Sequence, residues 1–185
     1  MVVSVALFAI VMTICVDVLL SLVNANRKAQ ALQSVMNNLD IALDGMVRPV
    51  REGSNFHCGA GLNTLPQDCS AGDTSFAFEP YGSTYNSQTQ TWSEQPTVYA
   101  YDSDGSICGQ ANSICKSENG ETPIAITAPE VSIEQLEFYV VGTVRGDTTQ
   151  PKVIIVIKGS AGVPGSTSRT TFHLQSTAVQ RVLDL

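Results

Sequence analysis

The stretch that decides the fold is MVVSVALFAIVMTICVDVLLSLV, residues 1–23, which runs on into NANRKAQALQSVMNNLDIALDGMVRPVRE, residues 24–52. Within residues 1–23 the only charged side chain is that of Asp17. At about 1.5 Å per residue, this run is about as long as the hydrocarbon core of a bilayer is thick. A cleaved secretory signal has a shorter apolar stretch and a small-residue cleavage site, and no such site follows Val23. The sequence therefore predicts a retained apolar helix.

Residues 24–52 continue the same helix in amphipathic form. Asp44 and Arg48 are spaced for an ion pair one turn apart. Apolar residues recur every three or four positions, with polar residues between them, and form a stripe: Leu32, Val35, Met36, Leu39, Leu43, Met46, Val47 and Val50.

The end of the helix carries two signals. Gly53 is the expected stop. Pro49 lacks the N–H that would bond the carbonyl of Gly45, so a kink or an earlier ending is expected at that point.

Residues 53–95 are rich in Gly, Ser, Thr, Asn and Gln and show no helical period. We interpret them as a long loop with one strand, Ser75–Tyr81, and with Trp92 as its anchor. Further strands follow, and the third of them is apolar enough for a central strand covered on both faces: Thr97–Asp102, 136–141, Val153–Ile157 and 172–175.

The fold class follows from burial. No helix-length segment separates the later strands, so they are expected to pair antiparallel. Such a sheet needs cover on one face, and residues 24–52 are the only available helix. We therefore expect an α+β fold in which residues 1–23 form the membrane or assembly half of the helix, residues 24–52 pack on the sheet, and residues 53–185 form an extracytoplasmic globular domain.

Four of the five cysteines, Cys58, Cys69, Cys108 and Cys115, fall in polar, glycine-rich stretches, whereas Cys15 lies in the apolar run. Closing a short loop costs the least entropy, which favours Cys58 with Cys69 and Cys108 with Cys115. Free thiols and a metal site are the alternatives, although zinc spacing is absent. Disulfides would place the region after residue 52 outside the cytoplasm.

Composition and motifs argue against several functions. A net charge of −7 over 185 residues does not favour a nucleic-acid site. No sequence motif of a catalytic or cofactor site occurs, so neither an enzyme nor a cofactor is expected. Asp102-Ser-Asp104-Gly105 is similar to the start of a calcium loop, but without a downstream acidic ligand a hairpin turn is favoured and no metal is expected. His57 and His173 are interpreted as solvated.

The opening MVVSVALFAIVMTI, residues 1–14, resembles the part of a type IV pilin or pseudopilin that follows the processing motif. The order of long helix, variable loop, antiparallel sheet and paired cysteines is similar too. The close FHLQSTAVQRVLDL, residues 172–185, resembles endings of minor pilin-like proteins. The family's basic leader, cleavage glycine and glutamate do not precede Met1. Arg27 and Lys28 would also follow the span on the outside, against the positive-inside tendency, so we expect that upstream residues are missing from this sequence.

The resemblance implies a structural subunit of a type IV pilus or secretion pseudopilus. Such a subunit is a single-pass protein of the cytoplasmic membrane before assembly. It then joins other pilin subunits, through the membrane assembly machinery, in an extracellular filament at the cell surface. The residues expected on the membrane and assembly helix are Leu7, Phe8, Val11, Ile14, Asp17 and Leu20.

Two alternatives stay open at this point. The chain could be a membrane-anchored extracytoplasmic binding domain that does not polymerise, although an anchor normally ends in a flexible linker and none is present here. Asp17, which costs about 2.5 to 3.5 kcal/mol at mid-membrane, either meets a basic group or amino terminus of a neighbouring subunit or lies near the membrane surface.

Overall fold

The structure is a computed structural model that describes residues 1–59, 65–86, 88, 91–92, 95–144, 149–162 and 169–181, without the side chains of residues 31, 34, 85, 86, 91 and 92. It contains one helix, α1, Val2–Glu52. The strands of the described part are β1 Ser54–Cys58, β2 Cys69–Asp73, β3 Ser75–Glu79, β4 Tyr85–Asn86, β5 Thr91–Trp92, β6 Thr97–Asp102, β7 Ser113–Ser117, β8 Ile124–Ala125, β9 Val131–Val141, β10 Lys152–Ala161 and β11 Thr170–Val179.

The strands form two main sheets and a small ribbon. The first sheet has the order β1-β3-β6-β7-β8, the second has the order β11-β10-β9-β2, and β4 pairs with β5. All of these pairs are antiparallel. The predicted α+β class with a long N-terminal helix on antiparallel strands is confirmed, but the single sheet that we expected is divided in two.

Helix α1 packs against β11 and β10 of the second sheet through its C-terminal half. The buried helix residues lie three or four positions apart, as a helix face requires: Val35, Leu39, Ala42, Met46 and Val50. Leu43 and Val47 are half-buried beside them. Leu32 and Met36, which belong to the predicted apolar stripe, are exposed. Leu32 precedes Val35, the first buried helix residue in the described part, and Met36 lies at the side of the buried face.

Aromatic side chains fill the space between the two sheets. Phe76 of β3 stacks on Phe138 of β9 with ring centroids 5.5 Å apart, and Phe56 of β1 meets Phe76 edge-on at 5.4 Å. Phe56 and Phe76 belong to the first sheet and Phe138 to the second, so the burial of these rings joins the two sheets into one core.

The helix continues past Pro49 and ends at Glu52, so the stop at Gly53 is confirmed. Of the two alternatives expected at Pro49, a kink or an earlier ending, the earlier ending is wrong. The reason lies in β6. The hydroxyl of Tyr99 donates a hydrogen bond to the carbonyl of Gly45 at 3.3 Å. This carbonyl is the one that the missing N–H of Pro49 leaves without its helical partner.

Other expectations have mixed outcomes. The described part of residues 53–95 holds five strands, β1 to β5, and not one. Two of them, β2 and β3, pair with strands outside this segment, β9 and β6. Strand β10 is central, as predicted, but Ile154 and Val156 on its outer face are only half-buried. The predicted ion pair of Arg48 with Asp44 is present at 3.0 Å on the surface. The side chain of Trp92 lies outside the described residues.

Candidate functional site

The candidate site is the N-terminal half of α1. Every large apolar side chain from Met1 to Val23 is at least 46% exposed. The helix that carries them is long and apolar enough to span a membrane, and no part of its most apolar stretch is buried in the molecule. A soluble monomer rarely exposes so much contiguous apolar surface, so this half of α1 needs an apolar environment outside the chain.

The predicted assembly residues all lie in this exposed half. Leu7, Phe8, Val11, Ile14 and Leu20 are between 50% and 63% exposed, and Asp17 is exposed too. All of them except Phe8 follow one another at intervals of three or four, so they form a row that winds slowly round the helix. Phe8 projects from another side. The residues therefore cover several faces of α1 and do not converge on one pocket.

Two hydroxyl groups in this stretch, those of Ser4 and Thr13, are suited to an apolar surrounding. The hydroxyl of Ser4 donates to the carbonyl of Met1 at 2.8 Å, and that of Thr13 donates to the carbonyl of Ala9 at 2.8 Å. Each O–H is thus satisfied by its own helix, which is what a polar group needs where no water is present.

The charges on this part of α1 are few and have no partner nearby. Within the described residues, no oppositely charged group lies within 4.0 Å of Asp17, Arg27 or Lys28. The first acidic residue beyond Lys28 is Asp40, twelve positions away. A carboxylate and two cations therefore stand on an exposed helix at levels about 15 Å apart.

The predicted disulfide bonds, Cys58–Cys69 and Cys108–Cys115, are both present, with Cα atoms 5.8 and 5.9 Å apart, and Cys15 is free and exposed. Cys58 belongs to β1 of the first sheet, whereas Cys69 belongs to β2 of the second sheet. This bond therefore ties the two sheets together at one edge.

The second disulfide closes a turn that is built round Asp102. The buried carboxylate of Asp102 accepts hydrogen bonds of 2.7 to 3.1 Å from four backbone N–H groups, those of Gly105, Ser106, Ile107 and Cys108. Burial alone would raise the pKa of Asp102, but the backbone N–H groups hold it below its ordinary value. The sequence pattern at Asp102–Gly105 predicts a turn, but it does not reveal that the Asp102 carboxylate holds the whole loop.

The hairpin interpretation of this segment is confirmed, since β6 and β7 pair antiparallel across it, with Asp102 opposite Ser113. Oxygen and sulfur atoms of Asp102, Cys108 and Cys115 lie within 4.8 Å of one another. The two sulfurs are bonded to each other and the carboxylate is occupied by N–H groups. In this state the cluster ties the loop and offers no thiolate to a metal.

The two histidines differ. His173 on β11 is exposed, as predicted. The prediction for His57 is wrong, because this side chain is 3% exposed and its Nδ1 lies 2.8 Å from the carbonyl oxygen of Leu65. His57 stands in β1 between Phe56 and Cys58, and this strand is covered on both faces. A pattern of polar and apolar letters does not reveal such a position.

Two concavities lie beside the amphipathic half of α1. Each is a shallow depression that opens to solvent, and charged side chains line it. The first is lined by Asp44, Val47, Arg48, Arg51, Glu52 and Arg181, and the second by Asp40, Ile41, Leu43, Asp44, Val47 and Ser176.

Comparisons with protein-family models, with curated proteins and with solved structures found no match to this chain.

Proposed function

We propose that this protein is a structural subunit of a pilus-like filament, held in the cytoplasmic membrane before assembly and packed helix against helix afterwards. The observation that carries the proposal is the continuity of α1. Its first half is exposed and apolar, and its second half is part of the domain core, within one unbroken helix, Val2–Glu52. Such a helix can exchange lipid for the helices of neighbouring subunits without any change of fold.

The resemblance of residues 1–14 to type IV pilins supports the same proposal and adds its partners. These are other pilin subunits and the membrane assembly machinery, and the chain would be a minor pilin or a pseudopilin of a secretion system. The assembled protein would lie outside the cell, where both disulfides are stable. No catalytic step, cofactor or nucleic-acid site belongs to this proposal.

A simple membrane anchor would give the same exposed span. An anchored binding domain does not need the membrane span to continue into its core, because a flexible linker lets such a domain search a larger volume for its ligand. Here eleven residues separate Val23 from Val35, the first buried side chain among the described helix residues, and they are helical throughout. The rigid connection favours a role in which the helix and the domain are positioned together.

The test is crosslinking of the first helices. In a Cys15→Ser background, single cysteines at Leu7 or Val11 should form disulfide-linked dimers in sheared filaments, with a second copy or with a companion pilin. Ser103→Cys, on an exposed turn of the domain, is the matched control for random collision. If the protein stays in the membrane fraction and neither helix position crosslinks above this control, the filament proposal fails and the anchored binding domain replaces it.

A further inference from the structure

The charges on the exposed part of α1 define a register between neighbouring subunits. Asp17 is the only charged side chain in residues 2–26, and Arg27 and Lys28 follow it directly as the next charges. Asp17 and Arg27 are ten positions apart, which is about 15 Å along the helix axis, so the two cannot meet within one chain. In the described structure none of the three has a partner of opposite charge.

Two copies packed in parallel at the same depth would place like charges side by side. Asp17 would stand level with Asp17 of the other copy, and the cations would also face each other. Like charges in a water-poor interface are strongly unfavourable. Same-level packing is therefore disfavoured, and a displacement along the helix axis removes the repulsion.

We propose that Asp17 of one subunit pairs with Arg27 or Lys28 of a second copy displaced by about ten residues along α1. This inference rests on the proposed filament function. A displacement of this size brings Asp17, the one carboxylate of the apolar run, opposite Arg27 and Lys28, the first cations that follow it along α1. Only one of these three charges is then left without an opposite charge. It also raises each subunit about 15 Å farther out of the membrane than the one that follows it.

The same displacement predicts which uncharged positions meet. Residues seven apart lie two turns apart on nearly the same face of a helix. Ile10 therefore shares a face with Asp17, and Leu20 shares a face with Arg27. A copy that pairs Asp17 with Arg27 also places Ile10 against Leu20 of the other copy.

The experiment coexpresses two full-length chains, both carrying Cys15→Ser, one with Ile10→Cys and the other with Leu20→Cys and an epitope tag. This pair leaves all three charges intact, and the four domain cysteines are already bonded. A lipid-soluble oxidant is applied to sheared filaments. We expect the mixed Ile10–Leu20 dimer to exceed both self-dimers.

Charge reversal then tests the cause. Asp17→Lys should lower the mixed dimer about tenfold or more, because three cations then meet. The triple variant Asp17→Lys, Arg27→Glu, Lys28→Glu restores opposite charges and should restore the dimer. Asp40→Lys, a reversal at an exposed acid farther along the same helix, should leave the dimer unchanged.

The outcomes separate this inference from the proposed function. Self-dimers in excess of the mixed dimer, or a triple variant that stays as weak as Asp17→Lys, overturn the displacement while the filament stands. A loss of every helix crosslink, including those at Leu7 and Val11, overturns both.

Discussion

The hydrogen bond from Tyr99 to Gly45 gives a stability prediction that can be worked out in detail. Pro49 leaves the carbonyl of Gly45 without a helical partner, and the Tyr99 hydroxyl donates to it at 3.3 Å. Burial, with a smaller contribution from the Glu118 carboxylate, raises the pKa of Tyr99 well above its ordinary value. The hydroxyl of Tyr99 is therefore protonated and able to donate at neutral pH. Its hydrogen bond to the Gly45 carbonyl replaces the helical bond that Pro49 cannot make.

The perturbation is Tyr99→Phe, which keeps the ring and its stacking on Phe78 at 6.1 Å. A hydrogen bond contributes about 0.5 to 1.5 kcal/mol net, and an acceptor left unsatisfied costs about 1 to 3 kcal/mol. Because the bond is long and the site only partly buried, we expect a loss of about 1 to 1.5 kcal/mol in the free energy of unfolding. In a Pro49→Ala background the N–H of the new alanine bonds the same carbonyl, so the loss should fall below about 0.5 kcal/mol.

The assay is a double-mutant cycle on residues 24–185, which retain every buried side chain of the described structure. Urea unfolding followed by near-ultraviolet circular dichroism gives the free energy of unfolding of the parent, of Tyr99→Phe, of Pro49→Ala and of the double variant. Tyr81→Phe is the control, since Tyr81 is 78% exposed and its change should stay within about 0.5 kcal/mol. A coupling energy below about 0.3 kcal/mol between positions 99 and 49 would refute the compensation.

The remaining predictions concern the domain and its ties. Residues 24–185 alone should be soluble and monodisperse by light scattering, because the removed stretch contributes nothing to the core; aggregation would contradict this. Gly45→Ala should raise the free energy of unfolding, measured in urea, by about 0.5 to 1 kcal/mol, since the added Cβ meets open space. Gly53→Ala should lower the free energy of unfolding by about 1 to 3 kcal/mol, since the added Cβ would lie 2.3 Å from the Phe78 ring. Asp102→Asn should destabilise the domain at neutral pH and flatten its acid dependence. The folded pKa of Asp102 is lowered, so its contribution is complete above the unfolded pKa of about 3.9 and is lost as the pH falls through the folded value. An unchanged acid transition in a urea series at different pH values would contradict this. Non-reducing peptide mapping should recover Cys58 linked to Cys69 and Cys108 linked to Cys115, and crossed linkages would contradict the fold.

Local patterns predicted the elements whose neighbours are close in sequence. The helix period from Val35 to Val50 and the short cysteine loops were sufficient for α1 and for both disulfides. In the second sheet, the antiparallel strands β9, β10 and β11 were predicted, but β2 was not. Strand β2 pairs with β9 about seventy residues farther along the chain, at Cys69 opposite Val140. No local pattern reports such a partner.

Some features of the candidate site and of the residues around it were predictable from the sequence, and others were not. The apolar composition of residues 1–23 predicted an exposed span, because a helix that is apolar all round cannot be covered by one small domain. The burial of His57 and the role of Tyr99 depend on packing between sheets. Both residues carry polar groups whose partners are backbone carbonyls. Because every residue has a carbonyl, residue types do not show which one a side chain will meet.

The unbroken course of α1 fixes the orientation of the domain as well as its height. With about 100° of rotation for each residue, adding one alanine between Val23 and Val35 would turn the sheets by about 100° about the helix axis and lift them by about 1.5 Å. Four added residues would complete slightly more than one revolution and return the domain close to its original heading, about 6 Å higher. The number of residues in the exposed part of α1 thus sets both the height of the domain and the side of the domain that faces outward.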